Sequence, residues 1–131
     1  MPREPSGLAT FQGLLMRSTQ TGRITGRVMR NRAGAEMAVE LKPRVVFNDP
    51  EALGRAALMG LGVALLAMPD VLPHLKSGAL VRLLPRWYAD VGPISLYFAG
   101  QRLLPAKTRA FVDFIVEQFR EQRLAERFSA V

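Results

Sequence analysis

Residues 44–69 read RVVFNDPEALGRAALMGLGVALLAMP, and this stretch decides the fold of the chain. Its β-branched and aromatic start, Val45 to Phe47, predicts a strand. Asp49 is placed to cap a helix that has Pro50 at its first position, and the Gly60-Leu61-Gly62 run is placed to end it. The unbroken apolar run from Val63 to Met68 favours a second strand, buried on both faces. Strand, helix and strand predict a βαβ unit with parallel strands and a right-handed crossover.

The residues before this unit predict a short helical turn, a strand and a hairpin. Ser6 is placed to cap the turn, and Gly13 to Arg17 forms the first strand. Residues 23–30 place Ile24, Gly26 and Val28 on one face, which is the period of a half-buried strand. Asn31 to Gly34 supplies the turn, and the returning strand alternates. Its inward residues are expected to be Met37, Val39 and Leu41.

After the central unit, the pattern predicts helices at both ends of a strand-rich segment. A helix from Pro69 to Gly78 turns Val71, Leu72 and Leu75 inward. Residues 80–84 and 94–98 read as strands, with a loop at 87–93 between them. A last helix runs from Pro105 to about Arg123, and a frayed tail follows at 124–131. The helix carries an apolar stripe that we interpret as core: Phe111, Phe114, Ile115 and Phe119.

Composition fits one globular α/β domain, a mixed sheet with flanking helices. The 131 residues are 49% hydrophobic and include no cysteine, which excludes disulfides and thiolate metal sites. No apolar stretch approaches the ~18 residues that a membrane span needs, and no export signal opens the chain, so the cytoplasm is the default location. No membrane association is expected.

The whole chain has a net charge of +7, and its basic residues are concentrated in one segment. Residues 17–44 hold seven Arg or Lys against Glu36 and Glu40. A basic hairpin is compatible with nucleic-acid binding, but it lacks the interleaved aromatics that stack bases. A solvated face is therefore favoured, with an anionic effector or partner as the intermediate alternative.

Motifs for catalysis, metals or cofactors are missing from the sequence. His74 is the one histidine, and neighbouring carboxylates at ligand spacing are lacking, so we expect an exposed or structural role. Gly60-Leu61-Gly62 follows a helix and precedes a strand, the reverse of the dinucleotide-binding order. The sequence therefore favours a binding protein without a cofactor over an enzyme.

A ligand site is expected where parallel strands end and helices begin. This rule selects Phe47, Asn48 and Asp49. Asp49 is an internal anion at the helix start, so a ligand carboxylate would have to share its amides. Capping alone, and capping combined with lining the cleft, both remain open for the Asn48-Asp49 pair.

Several of these segments, in this order, resemble the effector-binding domain of LysR-type transcriptional regulators. The resembling segments are residues 47–53, 56–66, 75–87, 96–97 and 102–114. The resemblance implies a periplasmic-binding-protein-like (type 2) fold: a second lobe at about residues 6–98, then a returning strand and a helix at about 105–123. It also places Arg17 and Ser18 at the effector cleft with Phe47, Asn48 and Asp49.

The resemblance implies a small-molecule-sensing fragment, over residues 1–123, of a bacterial regulator that lacks its DNA-binding helix-turn-helix. DNA would then be met through that missing domain alone. A stand-alone ligand-binding or protein-interaction module with half of this fold is the alternative, and nucleic-acid binding through residues 17–44 is the third hypothesis. Without the first lobe, the stripe on the last helix loses its customary partner. A homo-oligomer that exchanges the strand at residues 94–98 and this helix between copies is therefore expected.

Overall fold

The computed structural model describes residues 1–90, 95 and 105–130. The chain divides into two units: unit 1 holds residues 1–90 together with Ala130, and unit 2 holds the two C-terminal helices. In chain order the elements are a 3-10 turn (Pro5–Leu8), β1 (Gln12–Met16), β2 (Val28–Asn31), β3 (Glu36–Ala38), β4 (Lys42–Phe47), α1 (Pro50–Leu58), β5 (Val63–Ala64), α2 (Met68–Ser77), β6 (Trp87–Tyr88), α3 (Ala106–Glu121) and α4 (Leu124–Arg127). The predicted strand at residues 94–98 lies outside the described residues.

Unit 1 contains two three-stranded sheets. In the first sheet, β1 lies between β4 and β5, and it is parallel to both. In the second sheet, β2 lies between β3 and β6, and both pairs are antiparallel. The predicted α/β class, with parallel and antiparallel strands and flanking helices, is confirmed.

The helix α1 begins and ends where the sequence predicts. The Asp49 carboxylate accepts hydrogen bonds from the amides of Glu51 and Ala52, and Pro50 occupies the first helical position. Gly60 follows the helix end with φ of +74°, a conformation that favours glycine. The apolar face packs Leu53 and Ala56 onto Leu14 of β1. This βαβ unit therefore carries one of the two cores of unit 1.

The second core lies around the antiparallel sheet. Its buried residues are Leu8, Met29, Leu84 and Trp87. Met37, Val39 and Leu41 pack against it as predicted, because alternate residues of the returning strand face one side. The turn of the hairpin is also confirmed, since the Gly34 amide donates to the Asn31 carbonyl and Gly34 has φ of +87°.

The first hairpin strand is shorter than predicted, and its inward face is wrong. β2 begins at Val28, and Met29 is 7% exposed whereas Val28 is 54% exposed. The residues before β2 pair instead with the end of β1. Ile24 forms an antiparallel bridge with Arg17, and the Thr25 amide donates to the Met16 carbonyl at 2.8 Å. Because strand faces alternate, a shift of one residue exchanges the buried and exposed sets. Ile24 and Val28 are therefore exposed.

Two predictions at the start of the chain and after α1 also need correction. Ser6 does not cap the first turn, which starts at Pro5 after Glu4, and its hydroxyl donates to the Glu4 carboxylate at 2.7 Å. The apolar run after α1 gives a strand of only two residues, because β5 pairs with β1 at Gly13 and Leu14 alone. The chain then enters α2, which starts one residue before the predicted Pro69 and ends at Gly78 as predicted.

In the segment that follows α2, the strand lies where the sequence predicted a loop. Residues 80–84 form no strand, and β6 lies in the segment predicted as a loop. A tight turn explains the difference, because the Trp87 amide donates to the Leu84 carbonyl at 2.9 Å. Leu84 takes a φ of +54° and is 2% exposed. Burial of Leu84 and Trp87 in the second core holds this strained backbone in place.

Unit 2 contains α3 and α4. The helix α3 starts directly after Pro105, close to its predicted bounds, and no residue in it is buried. α4 forms where the sequence predicted a frayed tail. The rings of Phe119 and Phe128 meet edge to face with centroids 6.4 Å apart, which joins the two helices. The remaining apolar residues of the α3 stripe are described below.

Candidate ligand-binding cleft

The carboxyl ends of β1 and β4 lie side by side. Met16 is paired with Phe47, and the Arg17 amide donates to the Phe47 carbonyl at 2.7 Å. Both strands therefore end at one edge of the parallel sheet. Asp49 and the first turn of α1 follow directly from β4 at this edge.

Asp49 occupies the amino end of α1. Its carboxylate oxygens accept from the Glu51 amide at 3.1 Å and from the Ala52 amide at 3.3 Å. These are amides that a helix start would otherwise offer to a ligand. Because Asp49 is itself negative, it also offsets the positive end of the helix dipole. A ligand anion therefore has no vacant amide pair at this position.

Arg17 and Ser18 form the turn that follows β1. The Arg17 guanidinium donates to the Gly22 carbonyl at 2.8 Å, and Gly22 has φ of +69°. The Ser18 hydroxyl oxygen accepts from the amides of Gln20 and Thr21, both at 3.2 Å. Both side chains thus hold the turn together. Phe47 is half-buried and packs against the core beneath α1, and Asn48 is exposed.

A cleft of about 910 Å³ opens within unit 1, beside this edge. It takes residues from β1, from the hairpin and from both helices of the unit. Its apolar lining residues include Leu14, Leu53, Leu58, Leu65, Leu66, Val71 and Leu80. Its charged or titratable lining residues are Arg27, Asp49, Glu51, Arg55, Asp70 and His74. The volume falls in the range of small-molecule sites, ~300–1,000 Å³.

Two of the charged groups in the cleft are already paired with each other. Arg55 donates to the Glu51 carboxylate at 2.6 Å, one helical turn away. Arg27, Asp70 and His74 form no ion pair with a described residue. The cleft therefore combines an apolar lining with one unpaired cation, one unpaired carboxylate and one imidazole, and it can accommodate an apolar molecule that carries a polar or charged group.

The comparison with protein families decides the identity of this fold. A family model described as the LysR substrate binding domain matches residues 2–120. The chain belongs to the LysR substrate-binding domain family. The resemblance seen in the sequence is thereby confirmed, together with the periplasmic-binding-like fold.

Known LysR-family relatives agree with this assignment. A helix-turn-helix transcriptional regulator of Xanthomonas campestris is 41% identical over 76 residues, which are 58% of this chain and 22% of that protein. The putative LysR family substrate binding domain-containing protein YagP of Escherichia coli is 30% identical over 89 residues, 68% of this chain and 65% of that protein. The chain thus spans about a quarter of the full regulators it matches.

A solved structure shows the same fold. The regulatory domain of an AphB variant from Vibrio vulnificus superposes with a TM-score of 0.64 at 22% identity, covering 89% of this chain and 57% of that chain. At this identity the similarity establishes the fold alone. The LysR-family fold of the chain therefore rests on both sequence and structure.

Sequence reasoning located one residue of the cleft and missed others. Asp49 lines it, whereas Arg17, Ser18, Phe47 and Asn48 are not among its lining residues. Arg27, Asp70 and His74 were not selected. Asp70 lies four residues before His74, which puts both side chains on one face of α2. The expectation that His74 has no carboxylate at ligand spacing was therefore wrong. The predicted helix from Pro69 to Gly78 already contained both residues at this spacing.

Residues 1–90, 95 and 105–130 contain no cluster of three or more His, Asp or Glu side chains suited to a metal ion. Among the same residues, every helix is too short or too polar to cross a bilayer.

Proposed function

We propose that this domain senses a small-molecule effector and acts as the regulatory part of a LysR-type transcriptional regulator in the cytoplasm. The observation that carries the proposal is a cleft of about 910 Å³ at the carboxyl edge of the parallel sheet in a domain of this family. Open α/β sheets bind ligands at this edge. The Xanthomonas relative is a transcriptional regulator, which favours a binding role over an enzymatic one. DNA would be bound by another part of the regulator.

The effector is best matched by an apolar body with a polar or charged group. Ten leucine and valine residues of the lining favour the apolar part. An anionic group would be placed near Arg27, because Asp49 already takes the amides of α1. The site we propose retains the predicted Arg17, Ser18, Phe47, Asn48 and Asp49 as the edge of the cleft. Arg27, Asp70 and His74 are added to it.

A ligand screen with matched variants tests this assignment. Small carboxylates and neutral apolar compounds are screened by thermal shift, and hits are mapped by amide chemical shifts. We expect shifts at Asp49 and along Leu65 to Asp70. Leu65→Glu should abolish binding, because it puts a charge into the apolar lining, and Arg27→Gln should weaken an anionic hit about tenfold. Arg44→Gln, exposed on β4 and outside the cleft, is the control.

Two outcomes would contradict the proposed effector site. A hit that binds tightly but shifts amides only elsewhere, and that is unaffected by Leu65→Glu, would show that the cleft is not the effector site. Equal losses in Arg27→Gln and Arg44→Gln would show a general charge effect instead.

We also propose that a second copy of the chain covers α3. Phe111 and Phe114 are 56% and 57% exposed, and Ile115 and Phe119 are only half-buried. Phe119 has an intrachain partner in Phe128, whereas exposed aromatic rings in water favour association. A two-fold pairing of α3 helices would cover both stripes with the same contacts. The homo-oligomer is thus attributed to Phe111, Phe114, Ile115 and Phe119.

Sedimentation measures this association directly. We expect the wild-type chain to be dimeric or larger at micromolar concentration, and Phe114→Glu to be monomeric with an unchanged circular dichroism spectrum. Glu117→Gln, on the same helix but outside the stripe, should associate like the wild type. A monomeric wild type at high concentration, or association that survives Phe114→Glu, would contradict the role of this stripe.

A stand-alone binding module is the second candidate function. The alignment covers 65% of YagP, against 22% of the Xanthomonas regulator, so most of that relative consists of this domain. The coding sequence upstream of Met1 separates the two candidates. An in-frame helix-turn-helix supports the regulator, and a stop codon directly upstream supports the stand-alone module.

A further inference from the structure

A basic hollow of about 630 Å³ lies beside the antiparallel sheet of unit 1. It shares no lining residue with the effector cleft. Three arginines from three separate segments line it: Arg3 before the first turn, Arg32 after β2 and Arg86 before β6. The LysR assignment gives these residues no role, and the effector proposal does not use them.

The strand register places two of these arginines at one end of the same ladder. β2 pairs with β6 so that Arg30 faces Tyr88 and Asn31 faces Trp87. The ladder ends at this second pair, and Arg32 and Arg86 are the next residues, in the turns that follow β2 and precede β6. Both side chains are exposed, so solvent screens the repulsion between them.

Described residues supply little neutralisation. None of the three guanidinium groups forms a hydrogen bond or an ion pair with a described residue. Glu4 is the one carboxylate in the lining, and its oxygen accepts from the Ser6 hydroxyl at 2.7 Å. The four charged groups of the hollow therefore carry a net charge of about +2.

The walls of the hollow are fixed by the fold. Arg86 lies in the tight turn from Leu84 to Trp87, in which Pro85 restricts the backbone and Leu84 has its strained φ of +54°. A fourth arginine, the half-buried Arg82, donates to the carbonyls of Trp87 at 3.3 Å and Ala130 at 2.7 Å. Both acceptors belong to residues that line the hollow. The backbone that carries Arg86 is thus restricted by its own turn and by the hydrogen bonds of Arg82 beside it.

We propose that this hollow is a second binding site, for a small molecule that carries a phosphate or carboxylate group. Guanidinium forks bind both kinds of oxyanion with paired hydrogen bonds, and three of them around one concave space match a group with several charged oxygens. A bound anion would offset the net positive charge of the lining. The concave shape favours a small ligand over a nucleic-acid backbone, which follows an extended groove.

Calorimetry on the full 131-residue chain tests the site, with inorganic phosphate and citrate as probes and chloride at equal ionic strength as background. We expect saturable binding with a Kd of about 1 mM or tighter for at least one probe. Arg86→Gln and Arg32→Gln should each weaken it at least tenfold, whereas Arg44→Gln should leave it unchanged. The stronger of the two probes identifies the oxyanion class. Arg86→Lys keeps the charge but loses the fork, so its affinity should lie between wild type and Arg86→Gln.

Thermal unfolding with and without added anion supplies a readout that a purely structural arginine would not give. Phosphate or citrate should raise the melting temperature of the wild type, because a ligand that binds only the folded state stabilises it. The same anion should not raise the melting temperature of Arg86→Gln, and Arg86→Lys should show an intermediate rise. Absence of saturable binding in the wild type, or equal losses in Arg44→Gln, overturns the proposal. Tighter, steeply salt-dependent binding of a short DNA duplex that is lost in Arg86→Gln would assign the hollow to nucleic acid instead.

Discussion

The helices α1 and α3 both show an apolar stripe in the sequence, but only α1 has buried residues in the structure. α1 has nine residues, a side-chain cap at Asp49 and two buried residues, Leu53 and Ala56. α3 has 16 residues, no side-chain cap and no buried residue. Periodicity predicts that a face needs covering, but the covering partner is a property of the tertiary structure. The shorter helix is therefore the one that anchors the fold.

Leu53→Ala should have the largest effect on stability. Leu53 is 4% exposed and packs against Leu14 and Ala56, so truncation leaves a cavity in the core. We expect a loss of about 2–4 kcal/mol in the free energy of unfolding, measured by urea denaturation. Phe114→Ala on α3 removes a larger side chain that is 57% exposed. At a concentration low enough for a monomer, its cost should stay within about 0.5 kcal/mol.

These two variants test whether the stripes of α1 and α3 differ in what covers them. A large cost for Phe114→Ala that persists on dilution would mean that the α3 stripe is covered within one chain. A large cost that disappears on dilution would instead show that a second copy covers it. A small cost for Leu53→Ala would remove α1 from the core.

The next effect comes from two glycines near α1. A Cβ at Gly62 would lie 2.7 Å from the main-chain oxygen of Gln12 and 3.2 Å from Leu14, so β1 and the residue before β5 approach too closely for a side chain. Gly62→Ala should destabilise by about 1–3 kcal/mol. A Cβ at Gly54, inside α1, meets no atom within 4 Å. Gly54→Ala should stabilise by about 0.5–1 kcal/mol, because alanine favours the helix. Equal signs in thermal denaturation would contradict the close approach at Gly62.

Signals confined to a few neighbouring residues predicted the structure well. Asp49, Pro50 and Gly60 set the ends of α1, and Gly34 and Gly78 marked a turn and a helix end, because each acts through its own backbone conformation. Strand positions that depend on a distant partner were less predictable. Ile24 pairs with Arg17 at the end of β1 and does not belong to β2. The strained turn at Leu84 forms because Leu84 and Trp87 are buried together. Neither partner is visible in the local sequence.

The candidate site shows the same limit. The rule for parallel sheets selected the strand ends beside which the cleft opens, and Asp49 lines that cleft, because strand ends follow from the order of elements. Arg27, Asp70 and His74 reach the cleft through the packing of the hairpin and α2, which periodicity alone does not specify. Arg17 and Ser18 were placed at the right strand end, but their side chains bond within the following turn.

Asp49→Ala should remove the side-chain cap of α1, a feature that α3 does not have. The Glu51 and Ala52 amides would lose their acceptor, and the expected cost is about 1 kcal/mol in the free energy of unfolding. Asp113→Ala, an exposed aspartate inside α3, should change stability by less than about 0.5 kcal/mol. Asp49→Asn retains an acceptor and should restore most of the loss. Failure of asparagine to restore it would show that the negative charge matters more than the hydrogen bonds.

The smallest expected effect is at Glu51, which pairs with Arg55 one turn along α1 at 2.6 Å. Both side chains are more than 70% exposed, so solvent screens the attraction. Glu51 also lies in the first helical turn, where a negative charge favours the helix dipole. Glu51→Gln should therefore cost about 0.5 kcal/mol at low salt, and high salt should reduce that cost because it screens exposed charges. Glu117 in the second half of α3 forms no ion pair with a described residue, so Glu117→Gln should cost nothing at either salt concentration. Equal, salt-independent losses in the two variants, measured by urea denaturation, would show that the pair and the dipole contribute nothing specific to α1.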